Sequence, residues 1–194
     1  MSQLCAQSID ELCRADAPMI DPYFPVRMVI NGKSAGLSAA SYDCRIAHDL
    51  VLGVNPAFVM MEHFIRFGFT NDIALRRAFD ANPPMKALAY TIEDFHMPAG
   101  VSGAVCDKSS YARVFVTAFN TFFDPGFWGN ATLELVNLGD KPVRYMAGDP
   151  VAQFIFTWLD KPTNRPYEGK YMHQTKAAHG VRYENADGSF LVKG

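Results

Sequence analysis

Short segments in which apolar and polar residues alternate dominate the second half of the chain. Residues 131–137, 143–146 and 151–159 show this pattern, and turn residues such as Gly, Asp and Pro separate them. Alternation places every second side chain on the same face of a strand. Several short strands at such close spacing are typical of an antiparallel sandwich or barrel. The pattern therefore predicts a mainly β fold.

The pattern in the first half of the chain predicts further strands together with short helices. Residues 87–97 and 114–119 are rich in apolar and aromatic residues and predict two more strands. Near the N-terminus, Ser8 and Glu11 have the spacing of a capping box, in which two side chains satisfy free amides of the first helical turn. This spacing predicts a short helix over residues 8–15.

The segment over residues 56–80 is less regular, but its tract NDIALRRAFD has helical periodicity. No repeat, linker or low-complexity tract divides the chain. At 194 residues, of which 49% are hydrophobic, the chain is long enough for one sizeable core. We therefore expect a single domain over residues 1–194, with an insertion-like segment at about 50–83 and a C-terminal flap at about 162–194.

Charge and hydropathy argue against two classes of partner. The formal net charge is −2 and no Lys/Arg-rich run is present, whereas a nucleic-acid surface needs clustered positive charge. No apolar run approaches the roughly 20 residues of a membrane helix. The N-terminal residues are acidic where a signal peptide would be basic and then apolar. We expect no nucleic-acid or membrane partner and a cytoplasmic location.

Cysteine and histidine residues give no sign of a zinc site. The cysteines form no CxxC pair, and the histidines form no HExxH motif. Zinc-dependent deaminases need an HxE motif followed by PCxxC, and neither is present. We expect no metal held by protein side chains alone, and reduced, mostly buried thiols at the four cysteines, Cys5, Cys13, Cys44 and Cys106.

Glu134 is a carboxylate inside a predicted strand, between Leu133 and Leu135. Strand alternation turns it away from the two leucines, toward the face that carries Thr132 and Val136. A carboxylate in this place is either paired with an arginine on an adjacent strand or acts as a general acid or base. The sequence leaves both interpretations open.

Three further polar clusters are candidates for ligand binding. Lys108, Ser109, Ser110 and Arg113 put two cations and two hydroxyls within six positions, which suits a triphosphate, although such a run is also common in exposed turns. Asp124 begins a DPG sequence with ordinary turn chemistry. Residues 165–174 supply an aromatic, a cation and an amide, either in a solvated tail or in a flap that closes over phosphates.

In their order and spacing, these motifs resemble the dCTP deaminase branch of the dUTPase-like superfamily. The matching segments are SYDCR (41–45), TIEDFHMP (91–98), KSSYAR (108–113), DPGF (124–127), TLEL (132–135), Gly148 with Gln153, and KYMHQ (170–174). They extend over most of the chain apart from about 50–83. The resemblance implies a dUTPase-like distorted β-barrel or sandwich with a few short helices, assembled as a homotrimer with active sites between subunits.

The resemblance also implies a reaction and the residues that perform it. Glu134 would activate water for attack on C4 of the cytosine of dCTP, or of a modified dCTP, giving dUTP and ammonia without zinc. Ser109 would help to hold that water, and Arg113 would support the site. Mg²⁺ would be bound through the triphosphate. The expected substrate-binding residues are Lys108, Ser110, Asn120, Thr121, Asp124, Phe127, Gln153, Tyr167, Lys170 and Gln174.

Two departures from the family pattern keep other functions open. Ten residues separate Arg113 from Asp124, slightly fewer than in the family, so residues 120–123 would replace a segment that reads the base. Lys108 stands where the family usually has arginine. One alternative is a dUTPase-like pyrophosphohydrolase, possibly bifunctional and forming dUMP, in which Asp124 orients water and Phe127 packs under the sugar. Another is a catalytically silent nucleotide-binding regulator. The preference among cytosine, 5-substituted cytosine and uracil stays open.

Overall fold

The computed structural model describes residues 2–67, 72–119, 121–175, 182–184 and 190–192. The strands are β1 (Ser2–Gln3), β2 (Ile20–Asp21), β3 (Met28–Ile30), β4 (Lys33–Leu37), β5 (Tyr42–Arg45), β6 (Leu50–Leu52), β7 (Lys86–His96), β8 (Val101–Asp107), β9 (Val116–Ala118), β10 (Phe122–Phe123), β11 (Trp128–Asn137), β12 (Val143–Tyr145), β13 (Pro150–Trp158), β14 (Arg182–Glu184) and β15 (Phe190–Val192). The helices are α1 (Ala6–Cys13), α2 (Pro56–Phe67), α3 (Asp72–Ala81) and α4 (Ser109–Ala112).

Two antiparallel sheets form the body of the molecule. The larger sheet has the strand order β10-β8-β13-β5-β4-β3, with β1 added alongside β13, and the smaller sheet has the order β2-β7-β11-β9. The sheets face each other across an aromatic core, in which the rings of Phe95 on β7 and Phe154 on β13 stack with centroids 4.1 Å apart. The predicted mainly β fold is confirmed, and the sheets do not close into a barrel.

In strand β11, the alternation of apolar and polar residues correctly predicted which side chains face the core. Leu133 and Leu135 are buried, whereas Thr132, Glu134 and Val136 are only partly buried on the other face. The leucines contribute to the core between the sheets. The predicted strands 87–97, 131–137, 143–146 and 151–159 are confirmed as β7, β11, β12 and β13, with ends that differ by a few residues.

Helix α1 begins two residues earlier than the capping-box motif predicts. Cys5 occupies the N-cap position without a side-chain cap bond, and Ser8 lies inside the helix, so the predicted capping box is wrong. The Leu4 amide donates to the Phe156 carbonyl at 2.9 Å, which holds the chain against the larger sheet until just before the helix begins. Ile9, one turn into the helix, is buried in the core and holds this face of α1 against it.

The predicted strand over residues 114–119 is shortened to β9. The KSSYAR run forms the helical turn α4, and Phe115 then adopts a positive φ of 60°, so an extended backbone begins only at Val116. The helical tract NDIALRRAFD is confirmed as α3, whereas α2, over Pro56–Phe67, was not predicted from the sequence. The flap proposed over about 162–194 falls only partly within the described residues.

The burial of the cysteines and the length of the helices can be compared with the sequence pattern. All four cysteines are free, with Cys13 and Cys44 buried, Cys106 partly buried and Cys5 exposed. Among the described residues, no helix has both the length and the apolar character that a membrane span requires.

Candidate active site

Glu134 lies on the partly exposed face of β11, in a cavity of about 390 Å³. Its Oε2 atom accepts a hydrogen bond from Thr121 Oγ1 at 3.2 Å, and its backbone carbonyl accepts one from the Phe119 amide at 3.0 Å. Within the described residues no arginine forms an ion pair with its carboxylate, so the arginine-paired alternative is not observed there. The cavity is lined by Lys86, Ala87, Leu88, Phe119, Glu134, Leu135 and Val136.

Thr121 is held beside Glu134 by its backbone. Its carbonyl accepts a hydrogen bond from the Val105 amide at 2.9 Å, which ties it to β8. Its hydroxyl has two acceptors within reach, Glu134 Oε2 and the Phe119 carbonyl at 3.2 Å. Because a hydroxyl carries one hydrogen, it donates to one of these oxygens at a time. Within the described residues, the carboxylate therefore has one side-chain donor, the Thr121 hydroxyl, which can also turn to another acceptor.

Asp107 is a structural carboxylate that the sequence did not single out. It accepts hydrogen bonds from Thr117 Oγ1, at 3.0 and 3.1 Å, and from the Ala118 amide at 2.8 Å. These bonds tie the end of β8 to β9, immediately before Phe119 and the Glu134 cavity. The only sequence signal was an acidic residue at the end of an apolar strand, directly before Lys108.

Lys108 is buried in an ion pair. Its Nζ atom lies 2.9 Å from the Asp43 carboxylate and donates to Ser34 Oγ at 2.9 Å. Ser34 Oγ in turn lies 2.8 Å from the same carboxylate. Gln153 lies opposite Asp43 on β13, and its Nε2 donates to Ser41 Oγ at 2.8 Å. A phosphate at Lys108 would therefore share this cation with Asp43.

The α4 turn carries Ser109, Ser110 and Arg113. Ser109 and Arg113 are exposed, and the Arg113 guanidinium donates to the Ser109 carbonyl at 3.1 Å. The Ser110 hydroxyl is buried and has no hydrogen-bond partner within the described part of the chain. The predicted cluster is therefore a helical turn that presents one serine and one arginine at the surface.

Asp124 and Tyr167 line a second cavity, of about 520 Å³. The DPGF sequence forms the predicted turn, in which the Phe127 amide donates to the Asp124 carbonyl at 3.1 Å. Gly126 has a φ of +90°, and a side chain there would meet Pro166 Cβ at 2.6 Å. The Phe127 ring is buried and lies 6.1 Å from the Tyr167 ring, so the turn and the C-terminal segment pack together.

The C-terminal segment also contacts β11 beside Glu134. Gln174 is buried, its Oε1 accepts from Thr132 Oγ1 at 2.9 Å, and its carbonyl accepts from the Asn130 amide at 2.8 Å. Lys170 lies with its Nζ 5.3 Å from the Tyr171 ring centroid. Thr132 shares a strand face with Glu134, so Gln174 contacts that face two residues away from the carboxylate.

By the elements that carry them, the predicted site residues fall into two groups, within which the contacts above join only some of the members. The first group, on β10, β11 and the C-terminal segment, comprises Thr121, Asp124, Phe127, Glu134, Tyr167, Lys170 and Gln174. The second group, on β8, α4 and β13, comprises Lys108, Ser109, Ser110, Arg113 and Gln153. Asn120 lies outside the described residues. In the part of the chain that the structure describes, no cluster of three or more His, Cys, Asp or Glu side chains could hold a metal ion.

Comparison with known proteins gives sequence relatives over most of the chain. Residues 5–159 match the family model described as dCTP deaminase-like. A dCTP deaminase of Campylobacter lari is 32% identical over 165 residues, which are 81% of this chain and 86% of that protein. A dCTP deaminase of Pelagibacter ubique is 33% identical over 184 residues, 90% of this chain and 96% of that protein. A dUMP-forming dCTP deaminase of Aquifex aeolicus is 29% identical and covers 88% of this chain and 89% of that protein.

Solved structures give a similar fold at low sequence identity. The native EIAV dUTPase aligns with a TM-score of 0.45 and 16% identity over 69% of this chain and 87% of that chain. The 2'-deoxycytidine 5'-triphosphate deaminase of Agrobacterium tumefaciens aligns with a TM-score of 0.51 and 15% identity, covering 81% of this chain and 48% of that chain. The second similarity confirms the fold class that the sequence motifs implied.

Proposed function

This chain belongs to the dCTP deaminase-like family, and from that premise we propose that it is an enzyme that hydrolyses the 4-amino group of dCTP, giving dUTP and ammonia. The observation that carries this proposal is the Glu134 carboxylate, which faces a cavity and has a hydroxyl donor at 3.2 Å. A carboxylate that has no cationic partner among the described residues is available to exchange protons with a ligand.

Glu134 moves two protons in the proposed reaction. It first takes a proton from water as the oxygen attacks C4, and it passes that proton to N3 of the base. It then takes the second proton of the attacking oxygen and delivers it to the amino group, so the C4–N bond breaks and ammonia leaves. The C4 oxygen becomes the carbonyl of uracil, and N3 keeps its proton. The carboxylate thus does the work that metal-bound hydroxide does in zinc deaminases.

We propose that the two groups of site residues meet between subunits of a homotrimer. Ser109 and Arg113 of one copy would then complete the site at Glu134 of the next, Ser109 by holding the attacking water. Exposed aromatic side chains on residues 115–122 support an interface there: Phe119 lines the cavity, and Phe115, Phe119 and Phe122 are 70%, 59% and 61% exposed in one copy. Apolar side chains exposed together usually mark a contact surface.

The triphosphate would be bound by cations and amides from both groups. Lys170 and Gln174 lie on the C-terminal segment, and Lys108, Ser110 and Gln153 belong to the second group. Asp124, Phe127 and Tyr167 would hold the sugar at the second cavity. We propose that Mg²⁺ binds through the phosphate oxygens, which are its preferred type of ligand.

Product analysis with dCTP and Mg²⁺ tests the proposed reaction. We expect equimolar ammonia and deaminated nucleotide from the wild-type protein, and a kcat about 10³-fold lower for Glu134→Gln, as loss of a general base predicts. Glu11→Gln, which changes an exposed carboxylate on α1, is the matched control and should keep wild-type activity. No ammonia from folded protein would exclude deamination of dCTP, and tight binding without turnover would point to the regulatory alternative.

One relative and one carboxylate of the second cavity favour a second activity, the release of pyrophosphate to give dUMP. The Aquifex aeolicus relative is named as dUMP-forming, and Asp124 lines the second cavity, where a carboxylate can orient a water. The same assay measures this activity. If it is present, pyrophosphate should appear together with ammonia, and Asp124→Asn should lower pyrophosphate release more than ammonia release.

A further inference from the structure

Helix α2 carries its polar residues on the side that faces the rest of the molecule. Glu62, His63 and Arg66 line a cavity of about 340 Å³ together with Val59, and α3 and the loop between β11 and β12 form other walls of this cavity. His63 is buried, and Arg66 forms an ion pair with Glu62 at 2.8 Å. A surface helix normally turns an apolar face toward the protein and its charged residues toward water. The charged residues of α2 instead lie on the cavity side.

The opposite side of α2 is an apolar stripe that faces outward. The stripe consists of Met60, Met61, Phe64 and Ile65, which are 54%, 54%, 45% and 76% exposed. Successive residues of a helix are rotated by about 100°, so these four positions fall within one arc of about 140°. The centre of that arc lies about 180° from the centre of the three polar positions on the cavity side. The stripe is thus as wide as the apolar face by which a surface helix packs on a core.

The area and symmetry of the stripe fit a second copy of the chain. Four side chains exposed to this degree present roughly 500 Å² of apolar surface, so two stripes packed together bury on the order of 1,000 Å², the lower limit of a specific interface. Met60 and Met61 are neighbours near the middle of α2. Antiparallel pairing about a twofold axis therefore places Met60 of one copy against Met61 of the next, and the reverse. Methionine side chains adapt readily to such a contact.

The charges of α2 and α3 favour self-association over a membrane surface. The two helices carry equal numbers of acidic and basic residues, namely Glu62, Asp72 and Asp80 against Arg66, Arg76 and Arg77. Two copies therefore meet through these helices without net repulsion. Helices that lie on anionic lipid have a polar face rich in Lys and Arg, whereas carboxylates balance the cations here.

We propose that two copies of the chain associate through α2, with the two helices antiparallel and the stripe of each packed against that of the other. This contact lies on a different element from residues 115–122, which we assigned to the trimer interface. It depends neither on the proposed reaction nor on the trimer. Trimers joined through α2 would form pairs of trimers, and single chains joined in this way would form dimers.

Light scattering coupled to size-exclusion chromatography tests the proposal through the molar mass of the assembly. We expect the wild-type protein to have twice the molar mass of Met61→Asp, because the variant would bury a carboxylate at the contact. Ile65→Asp should have the same effect, and Met61→Leu should keep the larger mass. Arg66→Gln is the control on the cavity side of the same helix and should also keep the larger mass, since a surface ion pair contributes little.

Far-UV circular dichroism establishes that each variant is folded, and ammonia release is measured separately, so absence of deamination leaves the mass comparison intact. Equal masses for the wild type and both folded aspartate variants would overturn the proposal. If, in addition, the wild type but not Met61→Asp bound vesicles of phosphatidylcholine and phosphatidylglycerol, the stripe would serve a lipid surface instead.

Cysteine cross-linking tests the antiparallel orientation in a Cys5→Ala background, which removes the exposed native thiol. Met61→Cys lies beside the twofold axis and should form disulfide-linked dimers on mild oxidation. Ala57→Cys lies one turn away, so antiparallel pairing separates its two copies and should prevent the link. Linkage of Ala57→Cys as fast as that of Met61→Cys would show parallel helices and overturn the proposed arrangement.

Discussion

At the scale of single residues, removal of the Thr121 hydroxyl tests whether catalysis by Glu134 needs the hydrogen bond from that hydroxyl. Thr121→Val removes the hydroxyl at nearly constant shape, so Glu134 Oε2 loses the hydrogen bond of 3.2 Å. Because the carboxylate must receive and return protons in one orientation, we expect kcat for dCTP to fall about 10- to 100-fold with little change in KM. Steady-state ammonia release measures both constants.

Two companion variants make that result specific. Thr121→Ser restores the hydroxyl and should recover most of kcat, whereas Thr157→Val, on β13, should behave as wild type. A rise in KM without a fall in kcat would mean that Thr121 contributes to binding rather than to positioning of the carboxylate.

The face of Glu134 was predictable from sequence, but its surroundings were not. Glu134 alternates with the apolar Leu133 and Leu135, which is a local pattern, and in β11 the two leucines are buried while Glu134 lies on the other face. The pairing of Lys108 with Asp43 joins positions 65 residues apart, and nothing local marks either residue as a partner. Asp107 was missed for the same reason, because its importance lies in bonds to β9 that only the fold creates.

At the scale of elements, Asn137 connects the end of β11 to the insertion-like segment. It is fully buried, its Nδ2 donates to the Gly53 carbonyl at 2.8 Å and to the Lys141 carbonyl at 2.9 Å, and its Oδ1 accepts from the Gly139 amide at 2.9 Å. We expect Asn137→Ala to lower the free energy of unfolding by about 2–4 kcal/mol, because two buried backbone groups and one partly buried group lose their partner. Urea unfolding measures the change.

The neighbouring position supplies the control for that experiment. Leu138 is 58% exposed, so Leu138→Ala should change the free energy of unfolding by less than about 0.5 kcal/mol. A loss below about 1 kcal/mol for Asn137→Ala would mean that water replaces its hydrogen bonds.

Elements whose signal was local were predicted well, and elements set by distant contacts were not. Strands β7, β11 and β13 follow their alternation, and α3 follows its helical period. The start of α1 depends on Leu4 pairing with Phe156, a contact across most of the chain, so the nearby Ser8 signal was misleading. The order of strands within each sheet has no local signature at all.

At the scale of the whole molecule, buried thiols make stability fall in alkaline solution. Burial raises the pKa of Cys13 to about 12 and also raises the pKa of Cys44. A group whose pKa is raised by folding contributes stability below its unfolded pKa, about 8.5 for cysteine, and that stability is lost as pH rises toward the folded value. Two such groups should lower the free energy of unfolding by about 2 kcal/mol between pH 9 and pH 10.

Urea unfolding at the two pH values measures this loss. The double variant Cys13→Ala with Cys44→Ala should show a clearly smaller pH dependence. Cys5→Ala should not, because Cys5 is exposed. An unchanged slope in the double variant would assign the alkaline loss to the buried tyrosines Tyr42, Tyr111 and Tyr145, whose pKa values burial also raises.

We also propose that residues 1–194 form one domain that is active only in a trimer, and mixing two inactive variants tests this. Glu134→Gln damages the first group of site residues, and Ser109→Ala damages the second group. If each site takes one group from each of two copies, co-refolding the variants in equal amounts creates sites with two intact groups. Random assembly gives about one quarter of such sites, so we expect about a quarter of wild-type ammonia release.

The matched control mixes two variants of the same group. Glu134→Gln and Thr121→Val both lie in the first group, where Thr121 contacts Glu134 within one copy, so their mixture should show no gain over the average of the separate proteins. A gain with the Ser109→Ala mixture alone can arise only if Ser109 of one copy serves Glu134 of another. The absence of a gain in both mixtures, with trimers formed, would place the two groups in a single copy, and the exposed aromatic side chains of residues 115–122 would then need another partner.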